Sequence, residues 1–126
     1  MESNVHFPTD YNLLWDCGHK SLDMVDKVLK CYPELPGWRK RKDWRKRIKN
    51  SSRKIGQISG KGGPNKDVRL KECVEIYINT ATELVNKLID FLPSIPLNDN
   101  FQCRYYKLQL EHYIVLTINH IYLLER

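Results

Sequence analysis

Three breaks rich in proline and glycine divide this chain into four segments, and this division constrains its fold more than any other feature. Such breaks are typical of turns, and here they lie at residues 33–37, 59–65 and 92–98. Between them, apolar residues recur every three or four positions, which is the spacing of one helix face. Helices of similar length joined by short links pack as antiparallel neighbours. The 126 residues therefore predict one all-α domain, an antiparallel four-helix bundle with helices at 10–32, 38–58, 67–92 and 98–125.

The fourth predicted helix is the most apolar of the four. Its apolar residues cover a broad face, which is typical of a central helix or of one that also faces a partner. One side of this helix holds Phe101, Tyr105, Leu108, Val115, Ile118 and Tyr122.

The first nine residues predict a short strand stub ahead of the bundle. Val5 and Phe7 alternate with polar residues, the period of a half-buried strand. Pro8 would end this strand because it cannot donate to a ladder, and Thr9 or Asp10 would then cap the first helix. No second strand-like run follows, so the partners of this strand are expected in a missing region or in another chain.

A strongly basic segment spans residues 39–54. It holds ten lysines and arginines and a single acid, Asp43, whereas the rest of the chain holds 11 basic and 14 acidic residues. Like charges four residues apart destabilise a helix by about 0.2–0.5 kcal/mol per pair. Phosphates relieve that repulsion and release counterions on binding, so the segment predicts a polyanion as its partner.

Contact with nucleic acid is one of two equally weighted interpretations of this segment, with Trp38 as an aromatic side chain that stacks on bases. Trp44 shares a helical stripe with Ile48 and Ile55, so we assign it to the core and regard Trp38 as the freer of the two. The candidate binding residues are Trp38, Arg39, Lys40, Arg41, Lys42, Arg45, Lys46, Arg47, Lys49, Arg53 and Lys54.

A solvated helix face is the alternative interpretation of the same segment. Its cations would then pair with acids of the first helix, across the turn at residues 33–37. The acids in question are Asp16, Asp23 and Asp26. The sequence suggests a triple alanine variant of Arg41, Arg45 and Arg47 as the test of nucleic-acid contact by this segment.

Catalytic and metal sites are not predicted in this chain. The cysteines at 17, 31, 73 and 103 form no CxxC pair, so thiols are expected rather than a zinc site or disulfides. The four histidines show no ligand spacing. Lys61 follows a glycine, but residue 62 is not the serine or threonine that a phosphate-binding loop requires.

No signal segment or apolar run near the ~20 residues of a membrane span occurs, so a cytoplasmic protein is expected.

The start of the chain resembles a group of insertion-sequence transposases of the DDE class. In that group, a strand with an Asp-Thr-Thr-like motif runs into a Glu-x-Asn-(Val/Ile)-His-(Phe/Tyr)-Pro-Thr-Asp sequence, and a helix follows. The matching residues here are Glu2, Asn4, Val5, His6, Phe7, Pro8, Thr9 and Asp10. The turn at 37–39 and the helix at 111–126 also look similar to the family's helical insertion, so the resemblance covers essentially the whole chain as an internal slice of the family.

This resemblance implies a parent enzyme with an RNase H-like fold that cuts and joins DNA strands. Three carboxylates hold its Mg²⁺ ions, and the resemblance places them before Met1 and beyond Arg126. The chain is then a catalytically inactive piece that contacts DNA, without a cofactor of its own and associated with the nucleoid when DNA is bound. Two alternatives stay open: a stand-alone helical module that dimerises or docks a partner through its fourth helix, and an RNA-binding bundle.

Overall fold

Four long helices account for most of the protein. The structure is a computed structural model, and it describes residues 8–61, 63–96 and 100–125. The helices are α1 (Pro8–Cys31), α2 (Arg41–Lys61), α3 (Lys66–Phe91) and α4 (Phe101–Glu125), with a 3-10 turn at Leu92–Ser94. The predicted all-α bundle is confirmed. The described residues contain no strand, and residues 1–7 of the predicted stub lie outside them.

The helices form a ring in which each packs against its two neighbours. α1 contacts α2 and α4, α3 contacts the same two helices, and α2 and α4 lie diagonally across the bundle. Lys20 lies over the ring of Tyr113 and Lys27 over the ring of Tyr106. Seven residues forward along α1 therefore correspond to seven residues back along α4, so these two helices are antiparallel.

The core lies between the four helices and is mainly aliphatic, with four buried aromatic residues, Tyr32, Trp38, Tyr77 and Phe91. Full burial of one such side chain contributes about 1.5–3 kcal/mol. The hydroxyl of Tyr77, the largest fully buried residue, donates a hydrogen bond of 2.6 Å to the carbonyl oxygen of Tyr11. Burial raises the pKa of Tyr77 well above its ordinary range. The other deeply buried apolar residues are Leu14, Leu22, Val25, Val28, Ile48, Leu84, Leu88 and Leu110.

The predicted starts of α1 and α4 are wrong by two and three residues, respectively. α1 begins at Pro8 rather than Asp10, because proline suits the first helical position, where its missing N–H would have no partner. Pro8 and Thr9 therefore belong to the helix and not to the stub. α4 begins at Phe101 rather than residue 98, because the Asn100 side chain accepts a 2.9 Å hydrogen bond from the Gln102 N–H as a helix cap.

The basic helix also differs from its predicted limits of 38–58. It begins at Arg41, because Gly37 has a φ of 97° and turns the chain just before it. The Lys40 carbonyl oxygen accepts the Asp43 N–H at 3.0 Å in its first turn. The helix then continues to Lys61, through residues that the sequence predicts as a break, so the turn is confined to the few residues before α3.

A disulfide joins the end of α1 to the start of α4. Cys31 and Cys103 are bonded, with their Cα atoms 6.3 Å apart and a separation of 72 positions in sequence. This corrects the expectation that all four cysteines are thiols. Cys17 and Cys73 are free, and burial raises the pKa of the Cys17 thiol.

None of the helices in the described part of the chain combines the length and the apolar character that a membrane-crossing helix needs.

Candidate nucleic-acid interface

The predicted stacking residue Trp38 is buried and is not available to a base. It lies in the turn before α2 with only 2% of its surface exposed. Its ring meets Phe91 edge to face at 5.6 Å between centroids, and the Lys87 ammonium lies 4.9 Å from its centroid. The assignment of Trp38 to nucleic-acid binding is therefore wrong: this side chain closes the end of the core between α2 and α3.

The other tryptophan of the segment lies at the edge of the core. Trp44 is half-buried on α2 and packs against the core residues, as the sequence predicts. The guanidinium of Arg47 lies 4.4 Å from the centroid of its ring, within the range of a cation–π contact.

Two arginines of the basic segment are held by acids of α1. Arg41 forms an ion pair with Asp26, and its Nη1 donates to the Trp38 carbonyl oxygen at 2.9 Å. Arg45 contacts Asp26 at 2.7 Å and Asp23 at 2.9 Å. These contacts are those of the solvated-face alternative, so they remove Arg41 and Arg45 from the group of freely available cations.

The same cluster extends to a histidine of α1. Arg45 Nη1 lies 2.8 Å from His19 Nδ1, and the opposite ring nitrogen of His19 faces Asp23 at 3.7 Å. The Arg45 side chain is only 22% exposed, so the network is partly shielded from water. Arg45 therefore fixes α2 against α1, and its positive charge is already balanced.

A third arginine is paired across the other side of α2. Arg47 donates to a Glu83 carboxylate oxygen of α3 at 2.7 Å. Both side chains are about half exposed, and such surface pairs contribute about 1 kcal/mol or less. Arg41, Arg45 and Arg47 thus link α2 to its neighbours by ion pairs, while Asp16 pairs with Lys20 on its own helix.

Seven of the ten cations of the segment have no ion pair within the described residues. All seven are exposed, and two of them precede α2. They are Arg39, Lys40, Lys42, Lys46, Lys49, Arg53 and Lys54. Sequence reasoning treated all ten cations alike, and the structure divides them into a paired group and an available group.

Four of the available cations form a single line, which we call the cationic stripe: Lys42, Lys46, Lys49 and Arg53. They are four, three and four residues apart, so they share one helix face and extend about 16 Å along the axis. That face is opposite the buried Ile48. The three neighbouring pairs of like charges destabilise α2 by about 1 kcal/mol in total, a cost that bound phosphates would remove.

The cationic stripe suits a linear polyanion better than a small anion. A small phosphate ligand needs convergent donors, whereas these side chains project in parallel from one exposed helix face. Duplex DNA carries about one negative charge per 1.7 Å of its axis, so a 16 Å row of cations faces several phosphates at once. The arrangement can contact such a backbone, and phosphate contacts of this kind carry no sequence information by themselves.

Across residues 8–61, 63–96 and 100–125, no three histidine, cysteine or carboxylate side chains are close enough to hold a metal ion. The acids that contact the basic helix are engaged with arginines.

Comparison with known proteins adds no relative. No protein-family model matches the chain, and no match occurs among curated proteins or solved structures.

Proposed function

We propose that this chain is a helical-insertion piece of a DDE-class transposase that binds DNA through the cationic stripe and is catalytically inactive by itself. The resemblance of residues 2–10 supports the parent family, and the helical bundle is compatible with an insertion. The single observation that carries DNA binding is the line of Lys42, Lys46, Lys49 and Arg53, which have no ion pair in the described part of the chain. Within this proposal the chain acts in the cytoplasm, at the nucleoid.

Salt dependence is the measurement that tests DNA binding. Each phosphate contact contributes about −0.9 to the slope of log affinity against log salt, so four contacts give a slope of about −3.6 or steeper. We expect a triple variant, Lys42→Gln, Lys46→Gln and Lys49→Gln, to reduce the steepness of that slope by about 2.7. Titration of a labelled duplex at several salt concentrations measures both values.

A matched control separates the stripe from the total charge. Lys27, Lys71 and Lys107 are lysines outside the basic segment, on α1, α3 and α4, and none of them is buried. Their replacement by glutamine changes the net charge equally and is expected to leave the slope nearly unchanged. If both triple variants reduced the salt slope equally, binding would depend only on overall charge. That result would exclude the stripe as the contact.

Two assays test the assignment to the parent family: DNA nicking by the purified chain, and a comparison of its affinities for duplex DNA and for RNA. Supercoiled plasmid incubated with the purified chain and Mg²⁺ is expected to stay supercoiled, and nicking would contradict an inactive piece. Tighter binding to an RNA of equal length than to duplex DNA would favour the RNA-binding bundle instead.

A protein-interaction module is the second candidate function. The observation that favours it is a line of exposed apolar side chains along α4, including Phe101 and Leu108, which are 82% and 62% exposed. Undetectable DNA binding together with association through α4 would make this the better account.

A further inference from the structure

The exposed face of α4 carries a seven-residue repeat. Its members are separated by alternating steps of four and three residues, and each is exposed. The line, which we call the α4 seam, consists of Phe101, Tyr105, Leu108, His112, Val115, Asn119 and Tyr122. The opposite face is buried in the bundle and also repeats every seven residues, through Cys103, Leu110, Thr117 and Leu124.

This spacing is that of a coiled-coil seam. In such a seam, apolar side chains alternate at steps of three and four, and each fits between four side chains of the facing helix. Five of the seven seam residues are large and apolar, and they are 48–82% exposed in a single chain. The exposed large apolar residues outside α4 are Leu13 on α1 and Val68, Ile76 and Ile89 on α3, and they show no such repeat. The only surface on the described chain that matches the α4 seam is therefore the α4 seam of another copy.

We propose that α4 pairs with α4 of a second copy in an antiparallel, two-fold symmetric coiled coil. Its centre lies between Tyr113 and Ile114, close to the middle of the helix. Leu108 then faces Asn119 of the second copy, and Tyr105 faces Tyr122 of the second copy. The helix of 25 residues provides three heptads over a length of about 37 Å.

Charge at the helix ends determines the antiparallel direction. Arg104 lies in the first turn of α4 and Glu125 at its end, each next to the helix pole of its own sign. Both side chains are exposed, and neither has an ion pair in the described chain. Antiparallel pairing brings each Arg104 beside a Glu125 of the other copy, and each helix start beside a helix end. Parallel pairing would place neutral Gln109 beside Arg104 instead.

Two polar residues interrupt the apolar seam and restrict its register. His112 and Asn119 occupy equivalent positions of successive heptads, where a polar side chain favours one alignment over others. In the antiparallel alignment each faces an apolar residue of the second copy at the edge of solvent, and neither meets its own counterpart. The seam is thus suited to a reversible pair rather than a permanent one.

Sedimentation of the full chain over a range of concentrations tests the proposal. We expect a shift from the monomer mass of 15.0 kDa to twice that mass as concentration rises. A double variant, Leu108→Lys and Val115→Lys, should remain monomeric with an unchanged helical circular dichroism spectrum. The control, Val68→Lys and Ile76→Lys on α3, replaces equally exposed residues and should still dimerise.

Charge reversal distinguishes the antiparallel from the parallel pairing of the two α4 helices. Arg104→Glu or Glu125→Arg alone is expected to weaken the dimer at least tenfold, and the two together should restore it. Single reversals without effect would overturn the antiparallel alignment. A chain that remains monomeric up to about 0.5 mM, where even a 1 mM dissociation constant gives visible dimer, would overturn the proposal as a whole. Dimers that persist in the Leu108/Val115 variant would do the same.

Discussion

Reduction of the Cys31–Cys103 disulfide is expected to lower the free energy of unfolding by about 4 kcal/mol. The bond closes a loop across 72 residues, and a cross-link of that span restricts the unfolded chain by roughly this amount. It also fixes the end of α1 to the start of α4, two helices that pack along their whole length. Denaturant unfolding with and without reductant measures the difference.

Variants separate the disulfide from general effects of the reductant. Cys31→Ser with Cys103→Ser should unfold as the reduced protein does and should no longer respond to reductant. Cys73→Ser, at a partly exposed free thiol, should leave stability within about 0.5 kcal/mol of the original. Under denaturing conditions without reductant, thiol titration should find two reactive groups, Cys17 and Cys73. Four reactive groups in freshly isolated protein would contradict the bond.

The same thiol titration, applied to protein trapped directly from cells, indicates the cellular compartment in which the protein resides. Disulfides are rare in cytosolic proteins because cellular reductants keep thiols reduced. The proposed transposase piece acts in the cytoplasm, which is reducing, whereas a persistent Cys31–Cys103 bond requires an oxidising compartment. An oxidised pair in protein trapped directly from cells would argue against the cytoplasm and, with it, against action at the nucleoid.

Replacement of Trp38 by alanine is expected to destabilise the protein by about 4 kcal/mol. A buried tryptophan truncated to alanine loses its apolar burial and leaves a cavity, at a cost of about 3–5 kcal/mol. Trp38 would also lose its contacts with Phe91 and Lys87. Thermal or denaturant unfolding monitored by circular dichroism measures the loss.

The DNA affinity of the Trp38→Ala variant distinguishes a structural role of Trp38 from a role in base stacking. With the protein still folded at low temperature, the salt slope of Trp38→Ala should match that of the original chain. Trp44→Ala is the comparison, since Trp44 is only half-buried and its loss should cost less. If the Trp38→Ala variant had normal stability but bound DNA weakly, Trp38 would have to be assigned to the DNA interface after all.

The burial of Trp38 shows where reasoning from helical periodicity stops. The stripe through Trp44, Ile48 and Ile55 identifies the inner face of α2 correctly, because those residues share one helix. Trp38 precedes the helix, and its position depends on how the turn at Gly37 directs the chain towards Phe91, 53 residues away. No local pattern encodes a contact of that kind.

The division of the basic segment was predictable only in part. Asp23 and Asp26 are predicted from sequence as possible partners, because the short turn brings α1 and α2 together, and they do hold Arg41 and Arg45. Glu83 was not predicted, since its contact with Arg47 depends on the packing of α3. An alanine variant of these three arginines would therefore disturb the packing of α2, and the lysine stripe is the better target.

The four-helix architecture itself was readily predicted. Its signals are long and repeated: each segment has several apolar residues at helical spacing, and the breaks contain residues such as Gly37 and Gly63 that take positive φ angles. The disulfide was not predictable, because the spacing of four cysteines does not indicate which of them meet. The α4 seam was recognised as an apolar side, but its strict repeat became evident only once the buried face of α4 was known.

The diagonal placement of α2 and α4 has a consequence for assembly. A partner on α4 leaves the cationic stripe open, so the two surfaces do not compete sterically. If two copies join through α4, their two α2 helices lie on the far sides of the pair, facing outwards in opposite directions. Such a dimer is bivalent: it can cross-bridge two separate duplexes, and a single long DNA molecule that reaches both stripes is bound with an avidity above that of either stripe alone.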